Sequence, residues 1–167
     1  MCCILFGYQP GNITMEDCHW TDMVASTGIV EVTTLIQNEA SGEDQTRLPN
    51  HSTQLTLRNC VFDNLEYNHA ILFAQNQIIQ VENCSFVNIN TTYNKKGSCS
   101  LYAESPDWVG ENGAGCTYAM ACIGESLCAI NEESCFQDVD YLGNDWLFQT
   151  NSSTVVVDDK DFTECNF

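Results

Sequence analysis

Carboxylates are the side chains of this sequence that are best suited to chemistry. The chain has 23 Asp and Glu residues against 5 Lys and Arg residues, which gives a formal charge of −18. Several of the acids recur, with an occasional amide or arginine, at two fixed positions of a repeated segment. One set is Asp22, Asn64, Asn88, Asp138 and Glu164, and the other is Glu16, Arg58, Glu82, Glu132 and Asp158. Aligned carboxylates can act as general acid and base or bind a hard cation, so the fold that positions them decides their role.

The repeated segment is clearest between Gln54 and Asn90. The apolar residues Leu55, Leu57, Cys60, Phe62 and Leu65 return 24 residues later as Ile79, Val81, Cys84, Phe86 and Ile89. The same spacing is kept by Ile13, Met15, Cys18, Trp20 and Met23 and, with one polar substitution, by Val155, Val157, Lys160, Phe162 and Cys165. Gaps of two residues are typical of strands, and the three-residue steps predict bends. The sequence therefore predicts an all-β coil that stacks on copies of itself.

Stacking turns equivalent positions into columns whose neighbours lie about 4.8 Å apart. We expect the cysteine column to be interior, packed and reduced, and Ser134 and Lys160 to continue it. In the aromatic column, Phe62 should stack on Phe86. A one-residue bulge before Ser134 would move Ile130 inward. The predicted structural columns are Cys18, Cys60 and Cys84, then Trp20, Phe62, Phe86, Phe136 and Phe162, with the amides Asn64 and Asn88.

The first polar set lies two residues after each aromatic residue of this column. Asn and Asp tolerate the left-handed backbone of a tight bend, and stacked amides can bond to one another. We therefore interpret this set as a ladder of side chains at a bend. A hydrolase site is the alternative interpretation.

The second polar set should face outward. Arg58 falls between Glu16 and Glu82, which predicts an exposed ion ladder. Glu132 and Asp158 then stand together without a cation, and their oxygen atoms suit hard divalent ions. This pair is the candidate metal site, and calcium is the ion that it would take. The sequence indicates no other cofactor.

The run from Asn83 to Ile89, Asn-Cys-Ser-Phe-Val-Asn-Ile, follows a series of small apolar steps. In this pattern the sequence resembles the right-handed parallel β-helices of the pectate-lyase-like superfamily. The resemblance implies a single-stranded right-handed parallel β-helix of about 4–5 coils with two loop insertions. One domain would span 1–167, with coil repeats near 4–32, 54–76, 77–103, 129–150 and 151–167 and insertions at 33–52 and 91–127. The stretch Ser100-Leu-Tyr-Ala103 would supply a strand of the third coil.

Cysteines and glycosylation sequons favour a secreted protein. The chain has 11 cysteines, an odd number that leaves at least one without an intrachain partner. The cysteines of the second insertion lack zinc-site spacing, so we expect disulfides from Cys99, Cys116, Cys122, Cys128 and Cys135. Sequons begin at Asn12, Asn50, Asn83, Asn90 and Asn151, and all but Asn83 are predicted glycosylation sites.

Composition excludes several classes of partner. The acidic charge argues against nucleic acid, whose phosphates need Lys and Arg. No apolar run approaches the roughly 18 residues of a membrane span. Met1-Cys-Cys-Ile-Leu-Phe6 lacks the basic start and long apolar region of a signal peptide and instead matches a coil strand. We therefore expect a truncated piece of a longer protein.

The leading hypothesis is a non-catalytic extracellular β-helix segment that serves as a scaffold or as a binding surface for glycans or other surface proteins. The alternatives are a polysaccharide lyase or glycoside hydrolase of the same superfamily, and a repeat adhesin or surface-array protein. Arg47-Leu-Pro49 begins the Arg-x-Pro-x-x-Arg motif of pectate lyases, but Ser52 replaces the second arginine. The motifs of galacturonan hydrolases are also incomplete, since only Asp158-Asp159 matches one of them. The sequence therefore leans against an enzyme.

Overall fold

The computed structural model describes residues 4–6, 10–25, 28–32, 50–67, 70–91, 118–141, 146–149, 152–157 and 165. In these ranges the regular structure is entirely β. The strands are β1 (Ile4–Phe6), β2 (Gly11–Glu16), β3 (His19–Val24), β4 (Val30–Val32), β5 (Thr53–Arg58), β6 (Val61–Tyr67), β7 (Ala70–Gln75), β8 (Ile78–Glu82), β9 (Ser85–Thr91), β10 (Tyr118–Ile123), β11 (Leu127–Ile130), β12 (Cys135–Val139), β13 (Leu147–Gln149) and β14 (Thr154–Val157). No helix in the described ranges is long and apolar enough to cross a membrane.

The strands form three parallel sheets, and each strand pairs with the strand three places away in the sequence. The first sheet has the order β1-β4-β7-β10-β13, the second β2-β5-β8-β11-β14 and the third β3-β6-β9-β12. Three consecutive strands therefore make one tier, and β1–β3 form the first tier. The register follows the sequence repeat, since Leu55 pairs with Ile79 and Phe62 pairs with Phe86. This arrangement is compatible with a parallel β-helix.

The core lies between the three sheets, and its centre is a column of aromatic rings. Phe62 and Phe86 are completely buried, and their ring centroids are 4.7 Å apart with planes at 3°. Trp20 stacks on Phe62 at 4.6 Å, and Phe136 stacks on Phe86 at 4.7 Å. The parallel register brings the same residue type to the same place in each tier, so the rings contact face to face along the stack.

Left-handed residues recur at three positions of the repeat, each in three or four of the tiers. One series, two residues after the aromatic column, is Asp22, Asn64, Asn88 and Asp138, with φ between 51° and 57°. A second series precedes the cysteine column and comprises Asp17, Asn59 and Asn83, and a third comprises His51, Asn76 and Gly124. Gly124 is required at its place, because a Cβ atom there would lie 1.9 Å from Oδ1 of Asn76. Asn and Asp accept this backbone readily, which explains their recurrence at the bends.

The fourth tier departs from the predicted boundaries. Strand β10 lies between β7 and β13, although its residues fall inside the predicted insertion 91–127. The place predicted for Ser100–Ala103 thus belongs to Tyr118–Ile123, and Ser100–Ala103 lies outside the described residues. The expected bulge is present, because Ile130 pairs with Val81 while Cys135 pairs with Ser85, which leaves one extra residue in the bend of this tier. Ile130 is buried as a result. The division into coils and insertions otherwise stays a prediction.

The repeated spacing does not extend to Cys165. That spacing aligns Cys165 with Val139, but Cys165 lies beside Cys135, with their Cα atoms 5.1 Å apart in a disulfide. The alignment holds as far as Val157, which pairs with Ile130. The disulfide stabilises the observed position of Cys165 more than one set of aligned apolar contacts would stabilise the predicted one. Lys160 is also a poor interior residue, which weakens the predicted alignment. Lys160, Phe162 and Glu164 lie outside the described residues.

Candidate binding face

The outer face of the second sheet presents its side chains in rows that cross the strands. Leu55 and Leu57 of β5 point into the core, so the alternate residues Gln54, Thr56 and Arg58 belong to the opposite face. The register extends these positions into three rows. They are Asn12, Gln54, Ile78, Leu127 and Thr154, then Thr14, Thr56, Gln80, Ala129 and Val156, and finally Glu16, Arg58 and Glu82.

A groove of about 220 Å³ lies on this face over strands β8, β11 and β14. Ala129 stands between Gln80 and Val156 in its row, and its small side chain leaves room between them. Leu127 and Val156 are 36% and 52% exposed, which makes them two of the few large apolar side chains on the described surface. The described lining is neutral throughout and consists of Gln54, Ile78, Ile79, Gln80, Leu127, Cys128, Ala129, Thr154 and Val156.

Two glutamines form a polar wall along the groove. Nε2 of Gln54 donates to Oε1 of Gln80 over 3.0 Å, and Oγ of Thr56 lies 3.5 Å from the same oxygen. These bonds hold both amides against the sheet. The Nε2 group of Gln80 makes no hydrogen bond to the described residues, so it remains able to donate to a ligand.

The third row is an ion ladder. Nε of Arg58 donates to Oε2 of Glu82 over 2.8 Å, and its Nη1 lies 3.9 Å from Oε1 of Glu16. The hydrogen bond that Arg58 donates to Glu82, followed by the charge of that carboxylate, raises the pKa of Arg58 above its ordinary value. One arginine between two acids leaves this margin of the face with a net negative charge.

Glu132 and Asp158, the candidate metal pair, were expected in the row of Glu16, Arg58 and Glu82, but Glu132 does not lie in that row. Because Ile130 pairs with Val81, the position equivalent to Glu82 belongs to Asn131 and not to Glu132. Oδ1 of Asn131 accepts from the backbone N–H of Asn83 over 2.9 Å. Glu132 is exposed in the following turn, and Asp158 lies outside the described residues. Within the described ranges, no group of three or more His, Cys, Asp or Glu residues could hold a metal ion.

The acids and amides at the bends are held by one another. Asn64 donates from Nδ2 to Asp22, whereas Asn88 donates to Oδ1 of Asp63 over 3.1 Å instead of to Asn64. With their left-handed backbone, these contacts fit the bend interpretation of the first polar set. Glu164 lies outside the described residues.

A second ladder, which was not predicted from the sequence, lies just before the cysteine column. Nδ2 of Asn59 donates to Oδ1 of Asp17 over 3.2 Å, and Nδ2 of Asn83 donates to Oδ1 of Asn59 over 2.9 Å. Its signal is the Asn or Asp that precedes Cys18, Cys60 and Cys84 in the sequence.

Cysteines fall into two groups. Disulfides join Cys122 to Cys128 and Cys135 to Cys165, so three of the five candidates are bonded, while Cys99 and Cys116 lie outside the described residues. Cys165 was not among the candidates. Cys18, Cys60 and Cys84 are free thiols, and Cys60 and Cys84 are completely buried.

The thiols of Cys60 and Cys84 should resist alkylation near neutral pH until the protein is unfolded. Burial raises the pKa of Cys84 to about 12 and also raises the pKa of Cys60, so the reactive thiolate is scarce. A thiol whose pKa is higher in the folded than in the unfolded state stabilises the fold. This contribution is complete below the unfolded-state pKa, near 9.0, and is lost as the pH rises above it. The free energy of unfolding should therefore fall as the pH rises from about 9 towards 12.

Iodoacetamide labelling with and without denaturant, in the absence of reductant, measures this accessibility by mass spectrometry. Labelling of Cys122, Cys128 or Cys135 in the unfolded protein, with Cys60 and Cys84 protected, would contradict the assignment of free and bonded cysteines.

The asparagines of the sequons differ in their exposure and in their hydrogen bonds. Asn12 and Asn90 are exposed on strands, Asn50 donates from Nδ2 to Oε2 of Glu125 over 2.7 Å, and Asn151 lies outside the described residues. Asn83 is part of the second ladder and precedes the buried Cys84. A glycan on its Nδ2 would displace the bond to Asn59.

Asn83 should remain unmodified while Asn90 carries a glycan when the chain passes through a secretory pathway. Peptide mapping after enzymatic deglycosylation in heavy-oxygen water measures the occupancy of each site. Thr92→Ala removes only the Asn90 sequon and serves as the control. A glycan found on Asn83 in folded protein would show that the second ladder does not form as described.

The groove, the glutamine wall and the ion ladder are thus the features of the described surface that could engage a ligand. Comparison with models of known families, with curated proteins and with solved structures finds no match to this chain. Any functional conclusion therefore rests on the chemistry of the surface itself.

Proposed function

We propose that this chain is a segment of a secreted right-handed parallel β-helix that binds a neutral glycan on the outer face of its second sheet and does not catalyse a reaction. The observation that carries the proposal is the groove around Ala129, which combines exposed apolar side chains with two ordered amides. The parallel register, the stacked rings and the disulfides support the coil architecture and the extracellular location.

A sugar ring matches both parts of the groove. Its C–H groups can lie on Leu127, Ala129 and Val156, whose apolar surface gains from removal of water. Its hydroxyl groups both donate and accept hydrogen bonds, as do the amides of Gln54 and Gln80. Since the glutamines are already held to each other, little side-chain entropy is lost when a ligand binds them.

Charge selects a neutral glycan over an acidic one. The described lining of the groove carries no cation that could pair with a carboxylate, and the nearest ion ladder has two acids and one arginine. The whole chain has a formal charge of −18, so its field repels polyuronates.

The enzyme alternative requires carboxylates that face a bound sugar. The described lining of the groove contains none, and Asp17 and Asp22 accept hydrogen bonds from Asn59 and Asn64 at the bends. The aligned acids therefore have a structural role that explains their spacing without catalysis.

Titration of the secreted, disulfide-intact protein with neutral gluco- and manno-oligosaccharides, followed by calorimetry, tests the proposal. Ala129→Phe fills the groove from outside the core and should abolish binding, and Gln80→Ala should weaken it about tenfold by removing hydrogen bonds. Gln149→Ala, an exposed glutamine of the first sheet, is the matched control and should change nothing.

Equal binding by Ala129→Phe and the unaltered protein would overturn the choice of the groove. Incubation with pectin, polygalacturonate, alginate and neutral glucans, with and without calcium, tests for catalysis. Turnover that is lost in Asp138→Asn would establish the lyase or hydrolase alternative instead.

A further inference from the structure

The outer face of the second sheet carries a glycosylation sequon as well as the groove. Asn12 and Thr14, which are the acceptor and the hydroxyl residue of this sequon, are both exposed on β2. Ile13 between them packs against the core. Because side chains alternate along a strand, Asn12 projects from the same face as Gln54, with which it pairs. A glycan attached to Asn12 therefore starts on the face that contains the groove.

The other sequon asparagines of the described ranges lie elsewhere. Asn50 is in the turn before β5, where its side chain is bonded to Glu125. Asn83 belongs to the second ladder, and Asn90 lies on β9 in the third sheet. Among the sequons that the structure describes, Asn12 alone shares a sheet face with the groove.

The groove begins next to Asn12. Gln54, its neighbour in the row, lines the groove and is followed across the strands by Ile78 and Leu127. Ala129 lies on the third strand from β2, which is about 14 Å away at a strand spacing of about 4.8 Å. One pyranose residue adds nearly the same length to a glycan as one strand adds to the sheet. A glycan of a few residues is therefore long enough to reach from Asn12 to Ala129.

We propose that the N-linked glycan of Asn12 lies across the second sheet, occupies the groove of its own chain and so regulates the site by competing with other glycans. This inference rests on the proposed function, because it requires the groove to bind a neutral glycan. The core of an N-linked glycan consists of N-acetylglucosamine and mannose residues, which carry no charge. It therefore matches the neutral lining of the groove and is not repelled by the acidic chain.

The glutamine wall suits the acetamido groups at the start of this glycan. Each acetamido group has one N–H donor and one carbonyl acceptor. Oε1 of Gln54 and Nε2 of Gln80 make no hydrogen bond to the described residues, so they offer the complementary acceptor and donor. Ile78 follows Gln54 in its row and offers apolar surface to an acetamido methyl group. The mannose residues that follow then reach the exposed side chains of Leu127 and Val156.

Attachment to the same chain favours this occupant over a free glycan. A ligand on a short flexible tether has an effective concentration in the millimolar range, so even a weak site on the same molecule is filled. A free oligosaccharide must then compete with the attached glycan for the groove. Removal of the Asn12 glycan opens the site without any change in the fold.

Calorimetric titration of the secreted, glycosylated protein with mannopentaose tests the competition. Thr14→Ala removes the Asn12 sequon and should bind the oligosaccharide about tenfold more tightly than the unaltered protein, because no tethered competitor remains. Thr14→Ser keeps the sequon and should bind like the unaltered protein. Thr92→Ala removes only the Asn90 sequon and should also leave the affinity unchanged. Peptide mapping establishes which asparagines carry a glycan in each sample.

The rate at which a peptide-N-glycosidase releases each glycan from the folded protein is a second readout that needs no added oligosaccharide. Ala129→Phe fills the groove and displaces the attached glycan, so release at Asn12 should become about tenfold faster, while release at Asn90 should not change. Gln80→Ala, which removes hydrogen bonds but leaves the groove open, should accelerate release at Asn12 to a smaller extent.

Equal binding of mannopentaose by Thr14→Ala and by the unaltered protein with a glycan on Asn12 would overturn this inference and leave the proposed function standing. Absence of binding by both proteins would overturn the inference and the proposed function together. A release rate at Asn12 that Ala129→Phe does not change would overturn the position of the glycan, and so would an unmodified Asn12. Occupation of the groove by another part of the chain would leave both measurements insensitive to these variants and would also overturn the proposal.

Discussion

Phe86→Ala is expected to lower the free energy of unfolding by about 3–5 kcal/mol, as for other buried aromatic residues. Phe86 is completely buried at the middle of the ring column, with Phe62 on one side and Phe136 on the other, each 4.7 Å away. Truncation removes both stacking contacts and leaves a cavity between tiers that the backbone hydrogen bonds hold apart. Urea unfolding followed by circular dichroism measures the change.

Two further variants test whether the loss of stability depends on the buried position and on the aromatic ring. Val24→Ala, at a residue 63% exposed, should change the free energy of unfolding by less than about 0.5 kcal/mol. Phe86→Leu keeps an apolar side chain in the column and should cost less than the alanine. A loss under about 1 kcal/mol for Phe86→Ala would mean that the ring column is not the centre of the core.

Loss of the Cys135–Cys165 disulfide is expected to cost about 3–4 kcal/mol of stability. The bond closes a loop with a sequence separation of 30, and the chain-entropy relation gives this magnitude for a loop of such length. The Cys122–Cys128 bond, with a separation of 6, should contribute about 2 kcal/mol by the same relation. Loss of the disulfide that closes the longer loop should therefore lower the stability more.

Cys135→Ala, Cys165→Ala and the double variant should lose the same stability, because each breaks the same bond. Denaturant unfolding of the three proteins and of the unaltered protein, with and without reductant, measures the contribution of the link. The difference between the variants and the unaltered protein should vanish under reducing conditions. A difference that survives the reductant would assign the loss to packing at Cys135 instead of to the disulfide.

The register of the tiers was predictable from the sequence. Leu55, Cys60 and Phe62 recur as Ile79, Cys84 and Phe86, and a parallel sheet with one buried face can pair these strands in only one way without exposing the apolar set. The bends at Asn64 and Asn88 were predictable for a related reason, because few residue types accept a left-handed backbone. Arg58 between Glu16 and Glu82 followed from the same register.

The features that do not repeat became apparent from the three-dimensional structure. Strand β10 replaced the expected Ser100–Ala103 because the length of an insertion carries no periodic signal. Cys165 bonded to Cys135 because disulfide partners are set by distance in space, which spacing along the chain does not give. The groove arises where the outward side chains of β8, β11 and β14 meet around Ala129, and outward positions are not constrained by the core. Periodic burial thus makes the interior of this protein predictable from its sequence, while the shape of its outer surface depends on which non-repeating residues the tiers bring together.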